Sequence, residues 1–328
     1  MVRRPVVRQS VTPRSFERIV VKQYQDELST ALRAVRLAAR ICRSVQAKTA
    51  QFVEKKDESP VTVADFASQA VVCRELAAIF PEDPIIAEES SAVLLERGGA
   101  ETVADVLAEL KAAGVDANRE QLCEWIDRGR NRQYADRFWA LDPIDGTKGF
   151  LRREQYAISL ALIEQGELRL AVLCCPNLPV REEATSAGSL FYAVRGQGSF
   201  VQPLDREEAP EPVRVSSIET GADACLCESV ESGHTAQELA AEIARRLGLK
   251  CPPLRLDSQA KYAVVARGEA DLYLRLPTRA DYREKIWDHA GGVLLVEEAG
   301  GQVTDVTGQP LDFSQGRKLQ QNRGVVAT

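Results

Sequence analysis

Four acidic clusters in the sequence have the residue types and neighbours that metal-assisted chemistry needs. They are residues 59–65 (SPVTVAD), 88–90 (EES), 139–147 (WALDPIDGT) and 287–292 (WDHAGG). Each lies at the end or the start of a predicted element, where a side chain can face a cleft. Carboxylate and carbonyl oxygens are the ligands that Mg²⁺ prefers in proteins. If these carboxylates converge, each pair about 4 Å apart repels by about 4 kcal/mol at an effective dielectric of about 20, so bound divalent cations are needed.

The segment DPIDGT (residues 142–147) is the most informative of the four clusters. Pro143 has a restricted φ and Gly146 supplies the torsional freedom for a sharp turn. Asp142 and Asp145 can then converge on one side, with the Ile144 carbonyl between them. For this motif taken alone, an Asx-type turn that caps a strand is the alternative.

The other acidic clusters also have simpler explanations when each is considered alone. Glu88 and Glu89 follow an apolar strand and could be solvated acids. Asp65 and Asp288 could be acids in the first turn of a helix, where they interact favourably with the helix dipole. A shared metal site explains why all four clusters lie beside apolar strands and small residues.

The elements that must position these acids follow from the hydrophobic pattern. A helix is predicted from Leu28 to Val45, a second from residues 62–65 to Phe80, where Pro81 ends it, and a short buried strand over residues 84–88. Residues 91–137 form a predicted helical insertion. After it, the pattern predicts strand 138–141, hairpins 156–175 and 190–202, strands 213–216, 224–228, 254–256, 271–276 and 302–306, and helices 235–247, 258–266 and 287–298.

This organisation predicts two lobes. The expected divisions are a basic, disordered tail over residues 1–20, an N-terminal metal-binding lobe over residues 21–176, and a C-terminal α/β lobe over residues 177–328. The boundary is expected near Pro176, in a stretch that contains two prolines. Alternation of strands and helices in the second half is typical of an α/β layer sandwich.

Composition restricts the class of protein. The chain has 328 residues, with 45% hydrophobic and 27% charged side chains, and its 42 basic against 48 acidic residues give a net charge of −6. A mildly acidic chain without a basic block is a poor ligand for nucleic acid. The longest apolar runs are far shorter than the ~20 residues of a membrane span. We therefore expect a monomer with a small-molecule partner and neither nucleic acid nor a membrane.

The eight cysteines indicate a reducing compartment. They form no Cys-x-x-Cys pair, so the spacing of a zinc site or a thioredoxin-like motif is missing. We expect reduced thiols and a cytoplasmic location. The four arginines within residues 3–14 leave an organelle, plastid or mitochondrion, as the alternative.

Taken together, the acidic clusters resemble the inositol monophosphatase superfamily of metal-dependent, lithium-sensitive phosphatases. The resemblance extends from about Leu28 to Thr307, with the clusters in the right order and spacing. Longer motifs resemble the 3′(2′),5′-bisphosphate nucleotidase branch of that superfamily. They are residues 142–152 (DPIDGTKGFLR), 258–262 (SQAKY), 273–277 (YLRLP) and 284–290 (EKIWDHA).

The resemblance implies an α/β fold with an α+β N-terminal lobe, in a layered αβαβα sandwich with the site between the lobes. It implies about two or three Mg²⁺ ions. Their implied ligands are Glu88, Asp142, the Ile144 carbonyl, Asp145 and Asp288. Asp65 and Thr147 are the pair implied to orient and deprotonate the attacking water, and backbone amides near Gly146 and Thr147 can hold phosphate oxygens.

Substrate contacts are predicted from cations and polar groups in the motifs. Lys261 and Arg275 are candidates for the phosphate that is not cleaved, with Ser258 as a hydrogen-bonding partner. His234 is a candidate for the nucleoside, and Asp288 completes the expected substrate-binding set. For Lys261, Arg275, Ser258 and His234, the alternative is a position at the surface or behind the residues that contact the substrate.

The resulting hypothesis is a Mg²⁺-dependent phosphomonoester hydrolase. It would convert adenosine 3′(2′),5′-bisphosphate to AMP and phosphate through a metal-activated water without a covalent intermediate, with 3′-phosphoadenosine 5′-phosphosulfate as a further candidate substrate. An inositol (poly)phosphate phosphatase on the same fold is one alternative. A non-catalytic metal- or nucleotide-binding module is another, and the complete set of acids counts against it.

Overall fold

The computed structural model describes residues 23–49, 60–97, 99–131, 134–181, 188–206, 208–218, 220–231, 236–279 and 281–328. The predictions for the basic tail and for His234 therefore lie outside the described residues. Within these ranges, no helix combines the length and the apolar character that crossing a membrane requires.

Two long N-terminal helices pack against each other and cover one face of the first sheet. Helix α1 spans Gln25–Thr49, and its apolar face is buried around Val35 and Cys42 and partly buried at Leu28 and Leu32. Helix α2 spans Pro60–Ile79, as the pattern predicts. This helix is apolar on most of its surface and buried on nearly all sides, because α1, the insertion and the sheet surround it.

The other helices are shorter. The insertion contains three of them: α3 (Ser91–Arg97), α4 (Gly99–Ala112) and α5 (Arg119–Asp127). The later ones are α6 (Thr147–Arg152), α7 (Gln237–Leu247), α8 (Ala260–Ala266) and α9 (Ala290–Glu298). Helices α7, α8 and α9 lie within the predicted helices 235–247, 258–266 and 287–298, the predicted insertion is helical as far as Asp127, and α6 was not predicted. A 3₁₀ turn at Ile286–Asp288 precedes α9, so the predicted helix from residue 287 begins three residues later than expected.

The first sheet has seven strands in sequence order, β1 to β7. Strands β1 and β2 are parallel, and every later neighbour is antiparallel. The strands are β1 (Ile85–Ala87), β2 (Arg137–Asp145), β3 (Ala157–Glu164), β4 (Glu167–Cys175), β5 (Ser189–Val194), β6 (Gly198–Pro203) and β7 (Glu211–Val213). Both predicted hairpins are present, as β3–β4 and β5–β6.

The second sheet has five strands in the order β11–β12–β10–β8–β9. The strands are β8 (Leu226–Ser229), β9 (Leu254–Leu256), β10 (Leu272–Arg275), β11 (Val303–Thr304) and β12 (Val325–Ala327). Strand β12 was not predicted, because its short apolar run at the end of the chain resembles many others. It pairs antiparallel with both β10 and β11 and joins them in one sheet.

The layers alternate as αβαβα. Helices α1 and α2 cover the first sheet on one side, α8 and α9 fill the space between the two sheets, and α7 covers the outer side of the second sheet. Helix α9 is apolar on all sides, which fits its position between two sheets. The predicted layered sandwich is confirmed.

The first sheet continues past the position of the predicted lobe boundary. Strand β4 ends at Cys175, and its hydrogen-bonded neighbour β5 begins at Ser189. The chain moves to the second sheet only after Val213, which was predicted to begin a strand of the C-terminal lobe but pairs with β6. We propose that a division into two lobes falls between β7 and β8.

The prediction that the thiols are reduced is wrong for one pair. Cys225 and Cys251 form a disulfide, with their Cα atoms 5.1 Å apart. Cys225 precedes β8 and Cys251 follows α7, so the bond closes the base of this strand–helix unit. Sequence spacing could not reveal the pair, because folding brings together two residues that are 26 positions apart. The other six cysteines are free thiols.

Candidate active site

The DPIDGT segment joins the end of β2 to the start of α6. Asp142 and Asp145 lie on β2, and Thr147 is the first residue of α6. Between them Gly146 has φ 86°, a left-handed conformation that favours glycine. A Cβ atom there would also lie 2.8 Å from the Cβ of Ser258. Both the turn and the close approach therefore require glycine at this position.

Asp142 lies at the centre of the candidate site. Its side chain is buried, and its Oδ1 atom has no hydrogen-bond partner among the described residues. Burial raises its pKa well above the usual range, and repulsion from Glu88, Asp145, Asp288 and Asp65 raises it further. The four other carboxylates that the sequence predicts to converge therefore each lie within electrostatic range of Asp142.

Asp65 and Glu88 reach this cluster from α2 and from the end of β1. Burial raises the pKa of Asp65 well above its usual range, with repulsion from Glu89 and Glu88 as further causes. Asp65 is the sixth residue of α2, so the alternative of a first-turn acid is wrong. The pKa of Glu88 rises to about 7, through desolvation first and then repulsion from Glu89 and Asp145, although much of the residue's surface is exposed.

Two side chains of α2 hold these segments in place. Ser68, three residues after Asp65, donates a 2.9 Å hydrogen bond to the carbonyl of Pro143. Gln69 donates to the Glu89 carbonyl at 2.9 Å and accepts from the Glu89 N–H at 2.9 Å. The helix that carries Asp65 is thus bonded directly to both neighbouring acidic segments.

Asp288 approaches the cluster from the opposite side, in the 3₁₀ turn before α9. Burial raises its pKa well above the usual range; Arg275 opposes this shift, and repulsion from Asp145 and Glu88 adds to it. An Nη2 atom of Arg275 lies 4.0 Å from its Oδ2. Lys285 and Arg317 also attract Glu88, yet its pKa and that of Asp288 remain raised, so these cations do not compensate the cluster.

The donor set fits a divalent cation such as Mg²⁺. Its side-chain atoms are carboxylate oxygens, which hard cations prefer. The raised pKa values report negative charge that the described protein groups leave uncompensated. An orphaned buried oxygen on Asp142 is what a ligand atom looks like when its partner is a metal ion.

Two predicted groups of the DPIDGT segment differ in exposure. Ile144 has a buried side chain, as expected of a residue that contributes only its carbonyl. Thr147 is exposed at the start of α6. It directly follows Gly146 and lies two residues after Asp145.

Ser258 and Lys261 form part of the wall next to Gly146. Ser258 has φ 64°, an unusual conformation for a residue with a side chain. The Nζ atom of Lys261 is buried and donates to the carbonyls of Ser258 at 2.6 Å and Leu256 at 3.2 Å. Burial lowers the pKa of Lys261. Its ammonium group therefore holds the turn that carries Ser258.

Arg275 belongs to a buried network that sequence reasoning missed. Its Nε atom donates to Glu284 at 3.0 Å, and Glu284 is also 3.2 Å from Nε2 of His289. The Nδ1 atom of His289 lies 2.7 Å from the Tyr262 hydroxyl. Burial alone would raise the pKa of Glu284, but His289 and Arg275 lower it to about 2.

Ligand-type atoms of Glu284, Asp288 and His289 all lie within 4.8 Å of one another. Since Glu284 and His289 already bond to each other, with Arg275 and Tyr262 as further partners, we interpret them as groups that hold Arg275 beside Asp288. In the sequence, the signal for this network was that Glu284 and His289 both lie in the 284–290 motif. The motif could not show which residues they contact.

With this geometry established, comparison with known proteins identifies the family. The family model described as "Inositol monophosphatase family" matches residues 23–328. The chain belongs to the inositol monophosphatase family.

Curated relatives cover nearly the whole chain. A protein of Emericella nidulans named 3′(2′),5′-bisphosphate nucleotidase is 43% identical, over 93% of this chain and 94% of the relative. A protein of Schizosaccharomyces pombe with the same name is 44% identical, over 93% of this chain and 92% of the relative.

Solved structures agree in fold. An inositol monophosphatase from Zymomonas mobilis superimposes with a TM-score of 0.61 at 21% identity, covering 93% of both chains. An inositol monophosphatase from Anabaena gives a TM-score of 0.59 at 23% identity, covering 93% of this chain and 90% of the other. The inositol monophosphatase fold is therefore shared even where the sequences have diverged widely.

In this member of the inositol monophosphatase family, the two cations of α6 are engaged in ion pairs. Lys148 contacts Glu231 at 2.7 Å, and Arg152 contacts Glu231 at 2.7 Å and Asp257 at 2.6 Å. Gly149 allows this approach, because a Cβ there would lie 2.8 Å from Oδ2 of Asp257. These cations connect α6 to the C-terminal half of the chain.

Proposed function

We propose that the chain is a Mg²⁺-dependent hydrolase that removes the 3′(2′)-phosphate of adenosine 3′(2′),5′-bisphosphate and releases AMP and phosphate. The names of the curated relatives support this substrate. We include 3′-phosphoadenosine 5′-phosphosulfate as a second substrate, since it carries the same 3′-phosphate. We propose that the enzyme acts as a monomer in the cytoplasm, with the Cys225–Cys251 bond as one of the uncommon disulfides of that compartment.

The observation that carries the proposal is the environment of Asp142. Burial and then repulsion from four other carboxylates raise its pKa, and its Oδ1 atom lacks a hydrogen-bond partner among the described residues. Such an arrangement is unfavourable in a structural ion-pair network, where each acid would face a base. It is favourable when a cation completes the site.

In the proposed mechanism, Glu88, Asp142, the Ile144 carbonyl, Asp145 and Asp288 hold the metal. Bound Mg²⁺ supplies charge stabilisation for the phosphate oxygens and lowers the pKa of water. Asp65 and Thr147 orient the water molecule, and Asp65 accepts its proton. The water oxygen attacks phosphorus in line, the P–O3′ bond breaks, and the ribose oxygen takes a proton as AMP leaves.

The remaining groups position the substrate. Backbone N–H groups at Gly146 and Thr147, at the start of α6, hold the oxygens of the phosphate that is cleaved. Arg275 binds the other phosphate, because its guanidinium group is held at the edge of the acidic cluster by Glu284. We propose that Ser258 and Lys261 shape the wall beside that phosphate, that His234 contacts the nucleoside, and that Asp288 belongs to the substrate-binding set.

The test is phosphate release from adenosine 3′,5′-bisphosphate and from inositol 1,4-bisphosphate, each with Mg²⁺ and with a chelator. We expect hydrolysis of the nucleotide at least about tenfold faster in kcat/KM, equivalent to about 1.4 kcal/mol of transition-state binding. Preference for the inositol substrate would favour the alternative phosphatase. Equal rates in chelator would contradict the metal mechanism.

A further inference from the structure

Gln259 connects three elements around the acidic cluster, although it is not one of the predicted site residues. It lies immediately before α8, and its side chain is buried. Its backbone N–H donates to Oδ2 of Asp145 at 2.5 Å. The residue thus contacts one proposed metal ligand directly, from a segment more than a hundred residues away in the sequence.

The side-chain amide of Gln259 reaches the segment of a second proposed ligand. Its Nε2 atom donates to the carbonyl of Trp287 at 2.9 Å. Its Oε1 atom accepts from the N–H of Gly292 at 3.2 Å. These two bonds hold both sides of the short segment that contains Asp288.

A third contact links Gln259 to the strand beside Asp142. The hydroxyl of Ser159 donates to Oε1 of Gln259 at 3.1 Å. Ser159 lies on β3 directly opposite Asp142 in the sheet register. Gln259 therefore bonds to Asp145, to the residue paired with Asp142, and to the residue before Asp288.

The backbone next to Gln259 is held in an unusual conformation. Ser258 has φ 64°, and its Cβ would be 2.8 Å from a Cβ on residue 146. A non-glycine residue in this region persists only where its surroundings enforce it, and such residues concentrate at functional sites. Here the conformation directs the Gln259 N–H towards Asp145.

From these contacts we propose that Gln259 is a positioning residue that fixes Asp145 and Asp288 relative to each other for metal binding. The inference rests on the proposed function. Groups that orient metal ligands from behind commonly change metal affinity by about 10- to 100-fold when mutated. A buried glutamine that serves only the packing of the core would affect stability and leave metal affinity unchanged.

The experiment measures Mg²⁺ affinity by calorimetry without substrate in the wild type and in Gln259→Met, together with the thermal midpoint of each. Methionine keeps the volume and removes the amide. We expect Mg²⁺ affinity to fall by about 10-fold or more. Substrate KM at saturating Mg²⁺ is expected to change less than the Mg²⁺ concentration needed for half-maximal activity.

Gln46→Met is the matched control. Gln46 is also a buried glutamine; it donates to the Phe150 carbonyl at 2.8 Å and accepts from Asn177 at 3.3 Å, and it contacts none of the proposed ligands. We expect this variant to lose thermal stability and to keep wild-type Mg²⁺ affinity. Equal Mg²⁺ affinities of the Gln259 and Gln46 variants would overturn the inference.

Ser159→Ala provides a milder second variant in case Gln259→Met does not fold. It removes one hydrogen bond to Oε1, so a weakening of about two- to tenfold in Mg²⁺ affinity is expected. Wild-type affinity in Ser159→Ala would count against the proposal. If the wild type itself bound no Mg²⁺, the metal assignment would fail and the inference with it, whereas failure of the substrate panel alone would leave the role of Gln259 intact.

Discussion

Considered singly, the acidic residues of this chain could be solvated acids or acids in the first turn of a helix. Their proximity to one another is what indicates a metal site. Asp142 shows this most clearly, because its pKa depends on four other carboxylates. Those carboxylates come from α2, from the end of β1, from β2 itself and from the turn before α9. Each of these acids was assigned a role from the sequence, whereas Gln259 and Glu284 lie in the motifs at 258–262 and 284–290 and were assigned none, since a motif does not show which residues its members contact.

Replacing Asp145 tests the metal role of a single residue. Asp145→Asn keeps the shape of the side chain and its acceptor oxygen for Gln259, but removes the negative charge that a cation requires. We expect kcat/KM to fall well below a tenth of the wild-type value while the thermal midpoint is retained. Steady-state kinetics and a melting curve measure both quantities.

Asp105→Asn on the exposed side of α4 is the control for this substitution and should leave activity unchanged. A loss smaller than tenfold in Asp145→Asn, or about 1.4 kcal/mol of barrier, would contradict the assigned role.

At the scale of single helices and strands, glycines at the start of α6 help to position the site residues. Gly146 and Gly149 let α6 approach the turn that contains Asp257 and Ser258, where larger residues would collide. On the other side of the second sheet, the Cys225–Cys251 disulfide closes the unit formed by β8 and α7. Helix α7 contributes few fully buried side chains, so this covalent link is expected to matter for its docking.

The disulfide predicts a specific loss of stability. Cys225→Ser removes a cross-link that spans 26 positions, and chain-entropy arguments give a destabilisation of about 3–4 kcal/mol. The midpoint of urea unfolding should fall accordingly. A reductant should lower the midpoint of the wild type towards that of the variant and have no effect on the variant.

Cys123→Ser is the matched control, since Cys123 is a free, partly exposed thiol. Unfolding midpoints of the wild type that are identical with and without reductant would show that the bond does not form.

Folding brings like charges together at one site, although basic and acidic residues nearly balance over the whole chain, with a net charge of −6. Segments from the N-terminal, central and C-terminal parts of the chain converge on one acidic cluster, so folding itself works against electrostatic repulsion. Core packing between the layers must overcome this repulsion. Bound cations remove it and should therefore stabilise the folded state.

This repulsion predicts a pH-dependent stability of the metal-free chain. Glu88 has a pKa of about 7 in the folded state, above its ordinary value of 4.5, and the pKa values of Asp65, Asp142 and Asp288 are also raised. A raised acid pKa means that the folded state binds more protons than the unfolded one. Stability therefore falls as the pH rises through the folded-state pKa of Glu88, about 7. In a chelator, the thermal midpoint should decrease between pH 6.5 and pH 8.

Added Mg²⁺ should raise the midpoint at pH 8, since Mg²⁺ at a hundred times its dissociation constant adds about 2.7 kcal/mol to the free energy of unfolding. Glu88→Gln is the control, because it removes the group that titrates near pH 7 and should flatten the dependence in chelator. His289, whose pKa is lowered from 6.5, contributes in the opposite sense, because the unfolded chain binds a proton on this residue near pH 6.5 and the folded chain does not; comparison of the wild type with Glu88→Gln isolates the carboxylate effect from this one. A metal-free midpoint that rises from pH 6.5 to pH 8 would contradict the assignment of these carboxylates to one cluster.

Local sequence patterns were sufficient for most of the helices, though not for α6, and for the hairpins and the acids of the DPIDGT segment, because periodicity, prolines and glycines act over a few residues. The family resemblance added the layered fold and the order of the site residues. Contacts between distant segments were beyond these patterns. The pairing of Cys225 with Cys251, the continuation of the first sheet past Pro176, and the bonds of Gln259 all arise from packing between residues far apart in the chain, and packing has no local signature.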